Sequence, residues 1–364
     1  MDIKSILKSS VAVGALVALA VPAQDAYAGS IKQAGKLDLK VGGRVVKGIA
    51  HVDDGVNDHT FIPDGVSADT ELYFSASGKL TEAVTAGLLY KLNVQQMGAE
   101  YEFSNDDGDE TVTNTAQSVN KQNIYFKHSS MGTLSLGYMS QAGDGASNLK
   151  YGKALSTTGG FARQTLLRNT TDATTTITAA GQISNLDQGD DNIIRYDSPS
   201  ISGFTVAGSF HDDGGGAAAL RYAGSMADIN FGAAIAYRGG GTGTKNIHGS
   251  VRAQHASGLH LAYGGGMQSI DGGGRTPELM RLHGGFESSM NSFGKTDIYV
   301  TYIDNEDVAT AGREGNEVVV GVTQGLDAIG GYVGLAYSTT EVEDNTGTTY
   351  QDVDVIYLET QVAF

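Results

Sequence analysis

The chain has 364 residues, enough for one large domain or two ordinary ones, and a formal net charge of −17. It has no Cys, which excludes a disulfide framework and a Cys-liganded zinc site. Its 51 Gly follow no G-x-y period, which excludes a collagen and suits a sheet that bends sharply or packs closely on another backbone.

The first predicted element is not part of the fold. Met1–Ala28 has a basic start at Lys4 and Lys8, an apolar core over Val11–Val21 and an A-x-A end at Ala26-Tyr27-Ala28. That is the layout of a secretory signal peptide, and the rest, from Gly29, is expected to be one domain. No later stretch approaches the ~20 apolar residues of a membrane helix. A secreted chain of this kind is soluble or a β-barrel.

From there apolar and polar residues alternate with period two, segment after segment. Leu37, Leu39, Val41 and Val45 oppose Asp38, Lys40 and Arg44. Lys47 falls on the apolar side, so a bulge or the membrane edge is expected there. Val52–Asp69 reads as an acidic loop. Stripes follow at Leu72–Ala76, Val84–Leu92, Ile124–Phe126 and Leu134–Tyr138. Gln141–Asp190 then breaks the rhythm with few strand-like runs, several Gly and a Thr-rich patch; a loop this long argues for a function. Beyond it the alternation resumes from Ile194 and continues to Phe364, for sixteen segments in all.

Short turns alternate with longer acidic or Gly-rich loops, as in an outer-membrane barrel. In lipid every backbone group must be paired, so the sheet must close, and an even strand count closes it antiparallel. Periodicity alone leaves open which stripe faces inward. The polar stripe decides: Arg44, Lys91, Lys127, Arg195, Arg221, Arg252 and Arg281 cannot all fill a dry interior, so they require a water-filled lumen. Tyr residues at stripe ends fit aromatic girdles. The fold expected is an all-β, 16-stranded antiparallel transmembrane barrel with an inward-folded constriction loop at 141–190.

Tyr196-Asp197-Ser198-Pro199 with Ser202-Gly203-Phe204 resembles the strand–turn–strand of Gram-negative general porins. Gly132–Gly137 is similar to the porin segment before the constriction loop, and the terminal Phe364 to the aromatic presented to the outer-membrane assembly machinery. Val362 departs from the common aromatic at its position, and the loop is long for the family. The resemblance implies a homotrimeric, water-filled channel in the bacterial outer membrane for small hydrophilic solutes. It also implies that acids on the third loop face bases on the early strands. The matching wall positions are Lys40 and Arg44, with Lys91 and Lys127 behind them; solvated lumen charges without a special role are the alternative. On the loop, four acids balance four bases. Asp144 and Asp187 are the residues expected at the constriction, followed by Arg163 and Arg168.

The surplus acid falls in 53–69, 100–110, 304–317 and 341–354, read as extracellular loops. Negative potential there concentrates cations and predicts a weak cation preference. Asn105–Glu110 could take Ca²⁺ through carboxylate oxygens but lacks EF-hand spacing, and a solvated acidic tip is the simpler reading. The eight His form no H-x-x-x-H pair, and no nucleophile–base pairing or phosphate loop is readable, so no catalysis, cofactor or nucleic-acid partner is expected. A substrate-selective channel with a solute site at the long loop, and a secreted β-rich adhesin, remain as alternatives.

Overall fold

The computed structural model describes residues 27–32, 37–94, 118–155, 165–187, 189–212, 214–240, 244–270 and 272–364. The expected signal peptide, Arg163 and the Asn105–Glu110 motif fall, wholly or nearly so, outside the described residues. The wall is a closed antiparallel barrel of 16 strands. In chain order these are β1 (Asp38–Asp53), β2 (Glu71–Lys79), β3 (Val84–Asn93), β4 (Ser118–His128), β5 (Gly132–Ser140) and β6 (Asp190–Asp197). Next come β7 (Phe204–His211), β8 (Gly216–Met226), β9 (Ile229–Gly239), β10 (Thr244–His255) and β11 (Leu259–Ile270). The last are β12 (Glu278–Ser288), β13 (Thr296–Glu306), β14 (Arg313–Leu326), β15 (Gly331–Asp344) and β16 (Val353–Ala363).

Each strand pairs with its sequence neighbour, and β1 pairs with β16 from Arg44↔Ala363 to Asp53↔Asp354. Gly43 and Phe364 complete the seam, each N–H donating to the other's carbonyl at 3.0 and 2.9 Å. Below it, Tyr27–Lys32 pairs with the start of β1.

The apolar stripes face outward. Ile194, Val206, Ile235, Leu261, Val300, Val320 and Ile356 are all about half exposed, whereas the alternating positions are buried or polar. No helix among the described residues is long and apolar enough to cross a membrane, so the strands do the crossing.

Two sequence readings change. The acidic stretch after Val52 is not an extended outer loop. Asp54–Asn57 makes a tight turn, its Asp54 N–H donating to Asn57 O at 3.0 Å. The chain then descends beside β1 through the short strand Asp58–Phe61, and Gly48 N–H still donates to Pro63 O at 3.0 Å. β2 continues the same line lower down, so residues 65–70 interrupt one wall strand rather than cap two. Lys47 points outward without a bulge, and its ammonium meets the buried Asp64 carboxylate at 2.6 Å.

The second change is at the outer tips of the later strands. Asp304–Glu306, Arg313–Glu317 and Glu341–Asp344 belong to the ladder; six residues join the first two, and eight join the third to β16, rather than long loops. A strand of 14 residues rises about 46 Å along its axis, or roughly 35 Å in height at the usual tilt, well above the ~25 Å apolar band. The acidic tips therefore stand in water, where Glu278, Glu306, Glu314 and Glu343 lie directly opposite one another across four strands.

Candidate functional site

The described residues of the stretch between β5 and β6, 141–155, 165–187 and 189, lie against the inner wall. The side chains that hold them are the inward-facing polar residues of the barrel. Arg195 on β6 donates to Ser140 O and Gln141 O at 2.9 and 3.0 Å. Arg221 on β8 reaches Asp144 O at 2.8 Å, and Arg252 on β10 reaches Lys150 O at 2.7 Å while lying over the Tyr151 ring. Arg281 on β12 binds the Asn148 amide oxygen. Between the arginines, Ser250 donates to Ala146 O at 2.6 Å, and the His248 ring nitrogen lies 3.1 Å from Gly143 O. Further round, Asp297 accepts Lys153 N–H at 2.8 Å and Tyr299 OH accepts Leu155 N–H at 2.9 Å. A hydrogen bond to a charged group contributes about 1.5–3 kcal/mol, so this row holds the loop firmly.

Close approach also needs missing side chains. A methyl at Gly264 on β11 would sit 2.1 Å from Ser147 O, and one at Gly334 on β15 would sit 2.7 Å from Leu155. At its far end the loop buries Ala154, Leu155, Leu167 and Ala179 in a small apolar core with Ala50, Val52, Phe61, Val355 and Tyr357 inside the barrel. Each fully buried aliphatic side chain contributes about 1.5–3 kcal/mol. The loop then rises as a hairpin, Leu166–Arg168 against Thr176–Thr178, whose exposed tip meets the outer end of the barrel: Thr170 N–H donates to Thr349 O at 3.0 Å. Returning, it is pinned by Asn305 to Ser184 O at 3.0 Å and by Asn246 to Leu186 O at 2.9 Å.

Among the described residues, the wall strands β2, β3 and β4 carry none of these contacts and face the remaining lumen. Arg44 and Lys91 do meet here, but as the two cationic partners of one carboxylate, Glu71 on β2; Lys91 lies 2.6 Å from it. Opposite Lys91 in the ladder stands Lys121, bound to Asp190 and, at 2.9 Å, to Ser140 Oγ. Glu71 and Lys121 escaped the sequence reading. Lys121 lies in the part of β4 before the Ile124 stripe, although its spacing from Asn123 and Tyr125 marked it as inward. On the loop, Asp187 accepts Gly145 N–H at 2.8 Å and faces His248 at 3.2 Å. Burial lifts the Asp144 carboxyl above the ordinary carboxylate range, a Ser140 hydrogen bond opposes this, and the Asp187 charge adds to it.

Other expected site residues lie elsewhere. Lys40 is exposed and sits below Arg44 on the same inward line of β1. Lys127 is three inward positions below Lys121, roughly 20 Å along the strand, beside the turn to β5. Arg168 does not face the passage. It is 1% exposed and its Nε lies 2.6 Å from the buried Asp54, tying the loop to the first outer turn. Among the described residues no cluster of His, Asp and Glu has a metal-holding arrangement.

A closed sheet, apolar outside and charged within, narrowed by a loop clamped to its inner wall, is the architecture of an outer-membrane channel. The chain belongs to the Gram-negative porin family, whose model matches residues 10–358. As a member it forms an outer-membrane channel for passive diffusion. Solved structures similar to it include the anion-selective porin of Comamonas acidovorans, at 13% identity and TM-score 0.63, over 90% of this chain and all of that one. In-vitro folded OmpT of Vibrio cholerae matches at 12% identity and TM-score 0.62, over 92% and 99% of the two chains. OmpF of Salmonella typhi, in complex with daunomycin, matches at 11% identity and TM-score 0.58, over 92% and 100%. No curated protein sequence matches significantly.

Proposed function

We propose that the chain conducts small hydrophilic solutes and ions, without catalysis, through the passage between the clamped loop and the β2–β4 wall, with a weak preference for cations. The supporting observation is the charge pairing across that passage. On the wall Glu71 offsets one of its two cations, Asp190 offsets Lys121 and Asp197 offsets Arg195 at 2.8 Å. On the loop stand Asp144 and Asp187. With the wall cations largely matched, the sign of the field is set by the acidic strand tips, which concentrate cations at the mouth. Lys40, Arg44, Lys91, Asp144 and Asp187 are proposed as the charges that passing ions meet, with Lys127 in the inner vestibule.

The same reading includes a homotrimer, a mature chain starting after Ala28, and Phe364 as the signal to the assembly machinery. A trimer form is known for OmpT of Vibrio cholerae, one of the structural neighbours. Reversal potential of the purified protein in a planar bilayer under a KCl gradient tests the selectivity. A potential favouring chloride refutes it, and conductance that saturates with one solute favours a substrate-selective channel.

A further inference from the structure

The interruption between Asp58–Phe61 and β2 is built as carefully as the long loop. Its two ends are fixed to the wall: Asp64 by Lys47 at 2.6 Å, and Thr70 by its hydroxyl, which accepts Val46 N–H and donates to Val46 O, both at 3.0 Å. Arg44 Nε donates to Asp69 O at 2.9 Å. Between these anchors the backbone turns into the lumen and ends on Glu359, an inward residue of β16 with no exposed surface.

Glu359 accepts Val66 N–H and Ser67 N–H at 2.7 and 3.1 Å, the Tyr357 hydroxyl at 2.7 Å, and the hydroxyls of Ser67 and Tyr332. Two backbone N–H groups and three hydroxyls thus converge on one buried carboxylate. A buried charge with this many donors is tolerated because its lone pairs are filled, and removing it would leave five donors to find water. The Tyr357 ring can lean toward Glu359 because Gly48, the β1 residue opposite Glu359, has no side chain; a methyl there would lie 2.5 Å from the ring. At the apex Ser67 stays exposed, although its N–H and hydroxyl are both bound.

We propose that residues 65–69 form a second constriction element, and that Glu359 is the positioning residue that holds them in the lumen. The inference rests on the diffusion reading and deepens it. The passage is bounded on one side by the long loop and on another by this short inward bulge. Ser67 is the residue at its apex that solutes pass. The bulge also carries Asp69, whose carboxylate accepts from Asn93 and Asn120 at 3.3 and 3.4 Å, so β3 and β4 fix it on one flank as Glu359 of β16 does on the other.

The chain has no Cys, so Ser67→Cys supplies a unique thiol. Channels of this variant in planar bilayers are treated with anionic sulfonatoethyl or cationic trimethylammonioethyl methanethiosulfonate. Labelling should lower single-channel conductance by about a quarter or more, because the group occupies the narrow part of the pore. Sulfonate should move the reversal potential toward cations and ammonium toward anions. Complete labelling by mass with conductance and reversal potential unchanged overturns the proposal, as does a thiol that resists both reagents in the folded barrel.

Added to the Ser67→Cys variant, Glu359→Ala should raise conductance and reduce the effect of the thiol label, and Glu359→Gln should fall between it and the native Glu359 background. Equal label effects in all three backgrounds would remove Glu359 from the role. The label is added after folding, so the Ser67→Cys result stands even if Glu359→Ala does not fold. Failure of the diffusion reading would appear differently, as native protein that inserts but conducts no ions.

Discussion

Glu71 is the most informative single charge in the lumen, because two cations depend on it. Glu71→Gln keeps the shape and one acceptor but leaves Arg44 and Lys91 facing each other without a carboxylate, raising the local charge from +1 to +2. For an ion passing about 7 Å away in water, one added unit charge is worth roughly 0.6 kcal/mol, and screening at 0.1 M salt leaves about half of it. That is about a 1.7-fold gain for chloride and an equal loss for potassium, so the permeability ratio moves nearly threefold toward chloride. At 1 M salt, with a Debye length of about 3 Å, the shift shrinks to roughly 1.2-fold. Reversal potentials at both ionic strengths provide the assay. The variant should also unfold more easily, since opening a buried pair costs about 3–5 kcal/mol. A folded variant, shown by heat-modifiable migration, whose reversal potential is unchanged at 0.1 M salt would refute the placement of this cluster beside the ion path.

Other expectations test the loop. Gly264→Ala places its methyl 2.1 Å from a backbone oxygen and should push the loop into the passage, lowering conductance; Gly334→Ala meets the flexible end of Leu155 and should do less. Replacing Thr170–Thr175 with a two-residue turn should leave conductance unchanged, because that tip lies at the outer mouth; an enlarged conductance would place it in the lumen. Burial raises the Asp144 pKa, so its charge is lost, as pH falls, before that of an ordinary carboxylate. Cation preference measured by reversal potential should therefore weaken in the window just above the usual Asp range, and Asp144→Asn should flatten that step. The sign for stability is opposite: neutralising Asp144 relieves its desolvation, so this group favours the folded state more at the lower pH.

The barrel was legible because its strands obey a strict period of two, and the long loop because it breaks that period. What stayed hidden has two physical origins. Arg195, Arg221 and Arg252 read correctly as inward cations, but their hydrogen bonds to the loop go to backbone carbonyls, which every residue has and no pattern reveals. The acids at Asp54 and Asp64 read as solvated loop because their counter-charges lie far along the chain or on the opposite stripe; Arg168 is 114 residues from Asp54. Strand tips rich in Glu read as loops for a related reason: side-chain charge says where water is, and the ladder continues into that water.

The glycines under the loop have a consequence for how such a chain can vary. A missing side chain at Gly264 or Gly334 is of use only while the loop runs over it, and the loop can run there only while the side chain is missing. Wall and loop are therefore two halves of one mould. A relative that reroutes its loop is released from these glycines and acquires the need for others along the new path. In a related barrel, a diagonal of inward-facing glycines would trace where the narrowing lies before any coordinate is known.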